Sequence, residues 1–204
     1  MDDDRDDPAD LVSLPTGGVE LWEQVFTVAP LVLVGTVEPD GGIDLAPKHQ
    51  ATPLGWASHY GFVCTARHRT HANVLRAGQF TVSFPTPDQA VMIGQAAAPR
   101  VDDEKLSLGP VATRPATTVD GVLVEGAALW LECELDRVVD GFGEHDLIAG
   151  TIVAATAPGW AVRDPDVDDA DLIGGHPPLA FLCPSRFAPV TDSLSFPFPA
   201  AFRR

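Results

Sequence analysis

Between Asp44 and Asp88 the chain carries no aspartate or glutamate, although 29 of its 204 residues are acidic. Simple proportion would put about six in that window. Instead it holds four cations, Lys48, Arg67, Arg69 and Arg76, and four of the six histidines, His49, His59, His68 and His71. On a chain of formal net charge −16, a basic stretch suits a small anionic ligand, because cations in a folded interior gain little without a partner. Phosphate chemistry fits. Arginine offers a bidentate fork and Lys48 a mobile point charge. Arg67-His68-Arg69-Thr70 also precedes a helix-like segment, whose free N–H groups and positive dipole end favour an anion. A plainer alternative is that these cations pair with acidic loops elsewhere.

Other chemistries find less support. His49, His68 and His71 have no carboxylate beside them in sequence, and Cys64, Cys133 and Cys183 form neither a zinc pair nor an even disulfide framework, so no metal site is expected. Cys64, alternating within a strand, reads as a buried small hydrophobe. The acidic run from Asp164 to Asp171 reads as a solvated loop and lacks the glycine and closing glutamate of a calcium-binding EF-hand. An isoelectric point near 4.4 argues against nucleic acid. The charged amino terminus is not a signal peptide, no apolar run approaches the ~20 residues of a membrane helix, and three unpaired cysteines suit a reducing cytoplasm.

The elements that must position the basic window are mainly strands. Nineteen prolines and 18 glycines imply many turns. Residues 1–18 read as an acidic disordered tail and 19–204 as one domain. A short amphipathic segment, Glu20 to Val28, leads into a β-branched strand from Ala29 to Val37, and Pro39-Asp40-Gly41-Gly42 turns it back into Ile43 to Pro47. Tyr60 to Thr65 and Phe80 to Phe84 read as further strands. A helix from Thr70 to Ala77 lies between them, with Thr70 as N-cap, Ala72, Val74 and Leu75 inward, and Gly78 as its stop. A second helix opens at Pro87-Asp88-Gln89 with Asp88 as cap, turning Val91, Met92 and Gln95 inward. Ala97 to Thr118 reads mostly as loop. Ala127 to Val139 and Asp146 to Ala157 predict the longest hairpin, and Leu179 to Cys183 a closing strand before a Pro- and Phe-rich tail.

The pattern resembles the flavin reductase-like family. Gly42-Ile43-Asp44-Leu45-Ala46-Pro47-Lys48-His49 is similar to the family's second strand and turn, where Asn-x-Ala-Pro-x-Ser is usual; Asp44 stands for the Asn and His49 for the Ser. Arg67 to Val74 resembles Arg-x-x-Thr-x-x-Asn-Ile, and Gly78 to Ser83 resembles Gly-x-Phe-x-Val-Asn. Leu131-Glu132-Cys133 and Gly143-Glu144-His145 are similar to the family's Leu-Glu-Cys strand and Gly-Asp-His loop. The resemblance implies an FMN-binding split β-barrel with a few short helices. It implies FMN contacts from Ala46, Pro47, Lys48, His49, Gln50, Thr65, Arg67, Thr70 and Asn73. His145 would lie near the flavin ring and nicotinamide; its alternative role is that of a turn histidine capping a hairpin. The implied activity is hydride transfer from NAD(P)H to flavin, in a homodimer, with reduced flavin passing to a separate oxygenase or to a bound substrate. Two alternatives stand beside it: an FMN-binding electron carrier or sensor without free-flavin reductase activity, and an enzyme like pyridoxamine-phosphate oxidase.

Overall fold

The computed structural model describes residues 11–17, 20–100 and 108–199. Most of the expected acidic tail, residues 1–10 and 18, lies outside them, and 11–17 have no regular structure. A short helix α1 (Glu20–Glu23) precedes β1 (Val28–Pro30) and β2 (Val32–Val37). The strand predicted from Ala29 to Val37 is therefore broken at Leu31. β3 (Ile43–Lys48), β4 (Ala51–Pro53) and β5 (His59–Thr65) follow, then α2 (Arg69–Ala77) and β6 (Gln79–Phe84). After α3 (Ala90–Ala96) come β7 (Thr113–Pro115), β8 (Val122–Val124) and the long strands β9 (Leu129–Phe142) and β10 (His145–Thr156). Helix α4 (Asp169–Gly175), β11 (Leu179–Leu182) and β12 (Arg186–Pro189) complete the order.

Seven strands form one antiparallel sheet in the order β3-β2-β6-β9-β10-β5-β4. Its curl follows from its core. Val32 and Val34 of β2, Phe62 and Cys64 of β5, Phe80 of β6, Cys133 of β9 and Ile148 of β10 belong to a single buried cluster, which a flat sheet of that width could not gather. Gly150 permits part of this closeness, since a Cβ there would lie 2.6 Å from the Phe80 ring. The two outermost strands, β3 and β4, are not hydrogen-bonded to each other, so the barrel is split along one seam. β2 is buried on both faces: Val32 and Val34 point into the barrel, while Leu33 joins Leu45, Ile93 and Leu179 in a second cluster outside it. Over that outer face lies a three-stranded sheet, β1-β11-β12.

Five local expectations are corrected. Thr70 is not the N-cap of α2; His68 holds that place, and the buried face is Thr70, His71, Asn73 and Val74, while Leu75 is 52% exposed. The helix turns its polar side inward because it closes one end of the barrel over Thr36 and Asp44, which are themselves polar and buried. Gly78 does stop it, with φ +68°. In the next helical segment Thr86, not Asp88, caps a 3-10 turn through a reciprocal pair with Gln89, and Ile93 and Ala96 face inward in place of Val91 and Gln95. The loop predicted to Thr118 contains β7, paired with β8, and its residues 101–107 lie outside those described. The acidic run ends in helix α4, because Asp168 accepts a hydrogen bond from Ala170 N at 2.8 Å and acidic residues suit a first turn. Finally, β11 does not close the domain; it is the middle strand between β1 and β12.

Candidate functional site

The split in the barrel places the basic window. β4 pairs only with residues 60–62 of β5, so the end of β5 runs on past it toward β3. Across that opening Lys48 Nζ donates to Cys64 Sγ at 3.4 Å. Lys48 is 9% exposed and has no carboxylate partner among the described residues. One residue further along β5, the hydroxyl of Thr65 is buried and has no hydrogen-bond partner. A buried ammonium on a thiol and an orphaned hydroxyl are costly unless something else completes them. Together they fit an anionic, acceptor-rich ligand such as a nucleotide phosphate or the polar edge of a flavin.

The neighbouring side chains close the other approaches. His145 opens β10 directly opposite Thr65 in the β5 ladder. His49 stacks on Phe181 of β11 with ring centroids 4.7 Å apart, and Gln50 O accepts from Val63 N at 2.8 Å. Burial lowers the pKa of His49, and Lys48 lowers it further; His68 is lowered by burial and then by Lys48 and Arg67, so both imidazoles are neutral at pH 7. Burial pushes the Cys64 thiol up, outweighing the pull of Lys48, so it is a proton-bearing packing group and not a nucleophile. Ala46 and Pro47 lie half-buried on β3 just before Lys48.

Two motif residues are turned elsewhere. Thr70 Oγ1 donates to Asp44 Oδ2 at 2.8 Å, and Asn73 Nδ2 donates to Thr36 Oγ1 at 3.0 Å, so both fasten α2 to the barrel. Asp44 also accepts from Arg100 Nη2 at 3.0 Å, and Arg100 contacts Glu38 as well. Folding therefore brings carboxylates to cations that stand alone in sequence. Arg67 pairs with Glu144 at 3.1 Å on the surface, Arg69 with Glu38 at 3.9 Å, His71 with Asp146 at 2.7 Å, and Arg76 donates to the carbonyl of Val37. Arg100 belongs to this network though no sequence signal marks it, and His71, notable in sequence only as one of the window's histidines, belongs to it through Asp146. Arg100 lies outside the acid-free window, and His71 occupies a variable place in the motif, so only the fold reveals them.

A separate cleft of about 710 Å³ lies between α4 and the turn from Pro85 to Asp88. It is walled by Leu172, Ile173 and a Trp160–His176 stack and includes none of the motif residues.

A curled antiparallel barrel open along one seam is the fold of the split-barrel flavin reductases. A model of the flavin reductase like domain matches residues 26–170, and the chain belongs to that family. Its fold is similar to that of flavoredoxin from Desulfovibrio vulgaris, with a TM-score of 0.74 and 18% identity over 93% of this chain and 99% of that one. It is also similar to a flavin reductase with a split barrel domain from Shewanella frigidimarina, with a TM-score of 0.74 and 15% identity over 84% and 87% of the two chains. Nitrilotriacetate monooxygenase component B from Bacillus cereus gives a TM-score of 0.71 and 18% identity over 83% and 88%. Among the described residues no helix is long and apolar enough to cross a membrane.

Proposed function

We propose that the chain is a cytoplasmic oxidoreductase that binds FMN at the seam and transfers hydride from NAD(P)H to it. One observation carries the reading: the buried Lys48 ammonium, which has no carboxylate partner among the described residues, beside the unpartnered hydroxyl of Thr65. Lys48 and Thr65 would hold the anionic or acceptor edge of the flavin nucleotide, with Arg67 at the rim. Ala46, Pro47, His49 and Gln50 would form the wall over which the ring lies. Thr70 and Asn73 would act from behind, by fixing the start of α2 against β2 and β3. Bound flavin supplies the hydride-accepting chemistry itself. The protein's part is to orient the donor ring, exclude water and supply hydrogen bonds where charge develops, and His145 would orient the nicotinamide.

A homodimer is supported by the apolar side chains left in the open on and near β1 and β12, including Phe26, Val28, Phe187 and Phe196. Delivery of reduced flavin to a separate oxygenase is supported by the likeness to a protein named as a monooxygenase component.

The test is direct. Purified protein titrated with FMN should show a perturbed visible spectrum, and FMN should accelerate NADH or NADPH oxidation. Lys48→Met should weaken FMN binding by about tenfold or more, since a charged hydrogen bond is worth roughly 1.5–3 kcal/mol. FMN affinity equal to that of the unaltered protein would remove Lys48 from the site. Tight FMN binding without NAD(P)H oxidation would favour an electron carrier.

A further inference from the structure

A largely buried pair that the family motif does not name lies beside the end of the β5–β10 ladder. His71 Nε2 lies 2.7 Å from Asp146 Oδ2, and His71 is 6% exposed. His71 stands in the first turn of α2, and Asp146 is the second residue of β10, directly after His145. The pair thus ties the helix within the basic window to the strand that presents His145.

On one side the β5 ladder holds the hairpin tip and runs regularly to its end, with His145 opposite Thr65 and Asp146 opposite Cys64. Against β9 the ladder is irregular: His145 faces Phe142 but Leu147 faces Val139, so Asp140 and Gly141 together oppose Asp146. Gly141 and Gly143 both have positive φ, at 96° and 68°. Arg67 and Glu144, which also link the end of β5 to the hairpin tip, have side chains 72% and 69% exposed, and such surface pairs contribute little. Successive side chains of a strand point to opposite faces, so holding Asp146 against α2 also sets the direction in which His145 projects.

We propose that His71 is a positioning residue: through Asp146 it holds the hairpin tip so that His145 meets the nicotinamide donor. This rests on the flavin reductase reading above. It assigns His71 no contact with flavin or donor.

The experiment uses full-length His71→Phe, which keeps bulk but loses the ring nitrogen, and His71→Gln, which keeps a side-chain donor. In His71→Phe, amide exchange at residues 143–147 should accelerate by about tenfold while FMN affinity stays within about twofold. The kcat/KM for NAD(P)H should fall by about tenfold, and His71→Gln should recover it to within about threefold. Unchanged exchange at the tip would overturn the tie. Faster exchange with unchanged kcat/KM would overturn the positioning of His145, as would equal losses in the Phe and Gln variants. Should His71→Phe fail to fold, Asp146→Asn gives the same two readouts from the other partner. If the unaltered protein oxidises no NAD(P)H while tip exchange responds as expected, the tie stands and the functional reading is what fails.

Discussion

Thr65 separates a residue kept for stability from one kept for a ligand. Its hydroxyl is buried and unpartnered, so the free protein bears a desolvation cost that a similarly shaped apolar side chain would remove. Thr65→Val should therefore leave the urea midpoint of the flavin-free protein unchanged or raise it, while FMN affinity drops by about fivefold or more, the value of one hydrogen bond. A lower midpoint together with unchanged FMN affinity would make Thr65 a structural residue. The family resemblance implies flavin contacts from Thr65, Lys48, Thr70 and Asn73 alike; their partners divide them. Thr70 meets Asp44 from 26 positions away and Asn73 meets Thr36 from 37, and no local pattern reveals such a pairing. The departure from the family's usual Asn at Asp44 was legible as a departure. That it takes up the Thr70 hydroxyl and an arginine from position 100 was not.

At the level of elements, period-2 strands and their turns were readable because each strand's own residues carry the signal. β3, β5, β6 and the β9–β10 hairpin fall within a few residues of expectation. What escaped is whatever depends on the layer above. Helix α2 was assigned an apolar buried face, yet it packs on a polar barrel end, so tertiary context reverses the periodicity rule. Glu132 is another such case: in a strand its charge implies solvent, but it is 3% exposed beneath the loop joining β7 to β8. It accepts from the backbone of Thr117, Thr118 and Val119 and from the Thr117 hydroxyl at 2.5 to 3.1 Å. Burial pushes its carboxyl up, but those donors outweigh burial and hold it below the usual range. Glu132→Gln would present an amide N–H to donors and should cost about 2–4 kcal/mol in urea unfolding, with exchange in residues 116–120 accelerated. A loss below about 0.5 kcal/mol would mean that the loop is held by other contacts.

Over the whole molecule the charge pattern has two layers. In sequence the basic window stands apart from an acidic chain; in the fold Glu38, Asp44, Glu144 and Asp146 converge on it from outside, leaving Lys48 as a buried cation with no carboxylate partner among the described residues. The plainer alternative, pairing with distant acids, thus describes Arg69 and, in part, the rim residue Arg67, and the ligand reading centres on the seam. The same arrangement sets a pH response. His49, desolvated and next to Lys48, binds a proton less readily in the folded chain than in the unfolded one, whose imidazoles titrate near 6.5. The unfolded state therefore takes up more protons as pH falls through about 6.5, and stability present above that pH declines below it. His49→Phe keeps the ring contact with Phe181 and abolishes this titration, while carboxylate titrations remain common to both proteins. Urea midpoints at several values between about pH 7.5 and 5.5 should fall more steeply for the unaltered chain than for His49→Phe. Parallel profiles would show that His49 protonates in the folded protein as freely as in the unfolded, and that Lys48 does not bear on it.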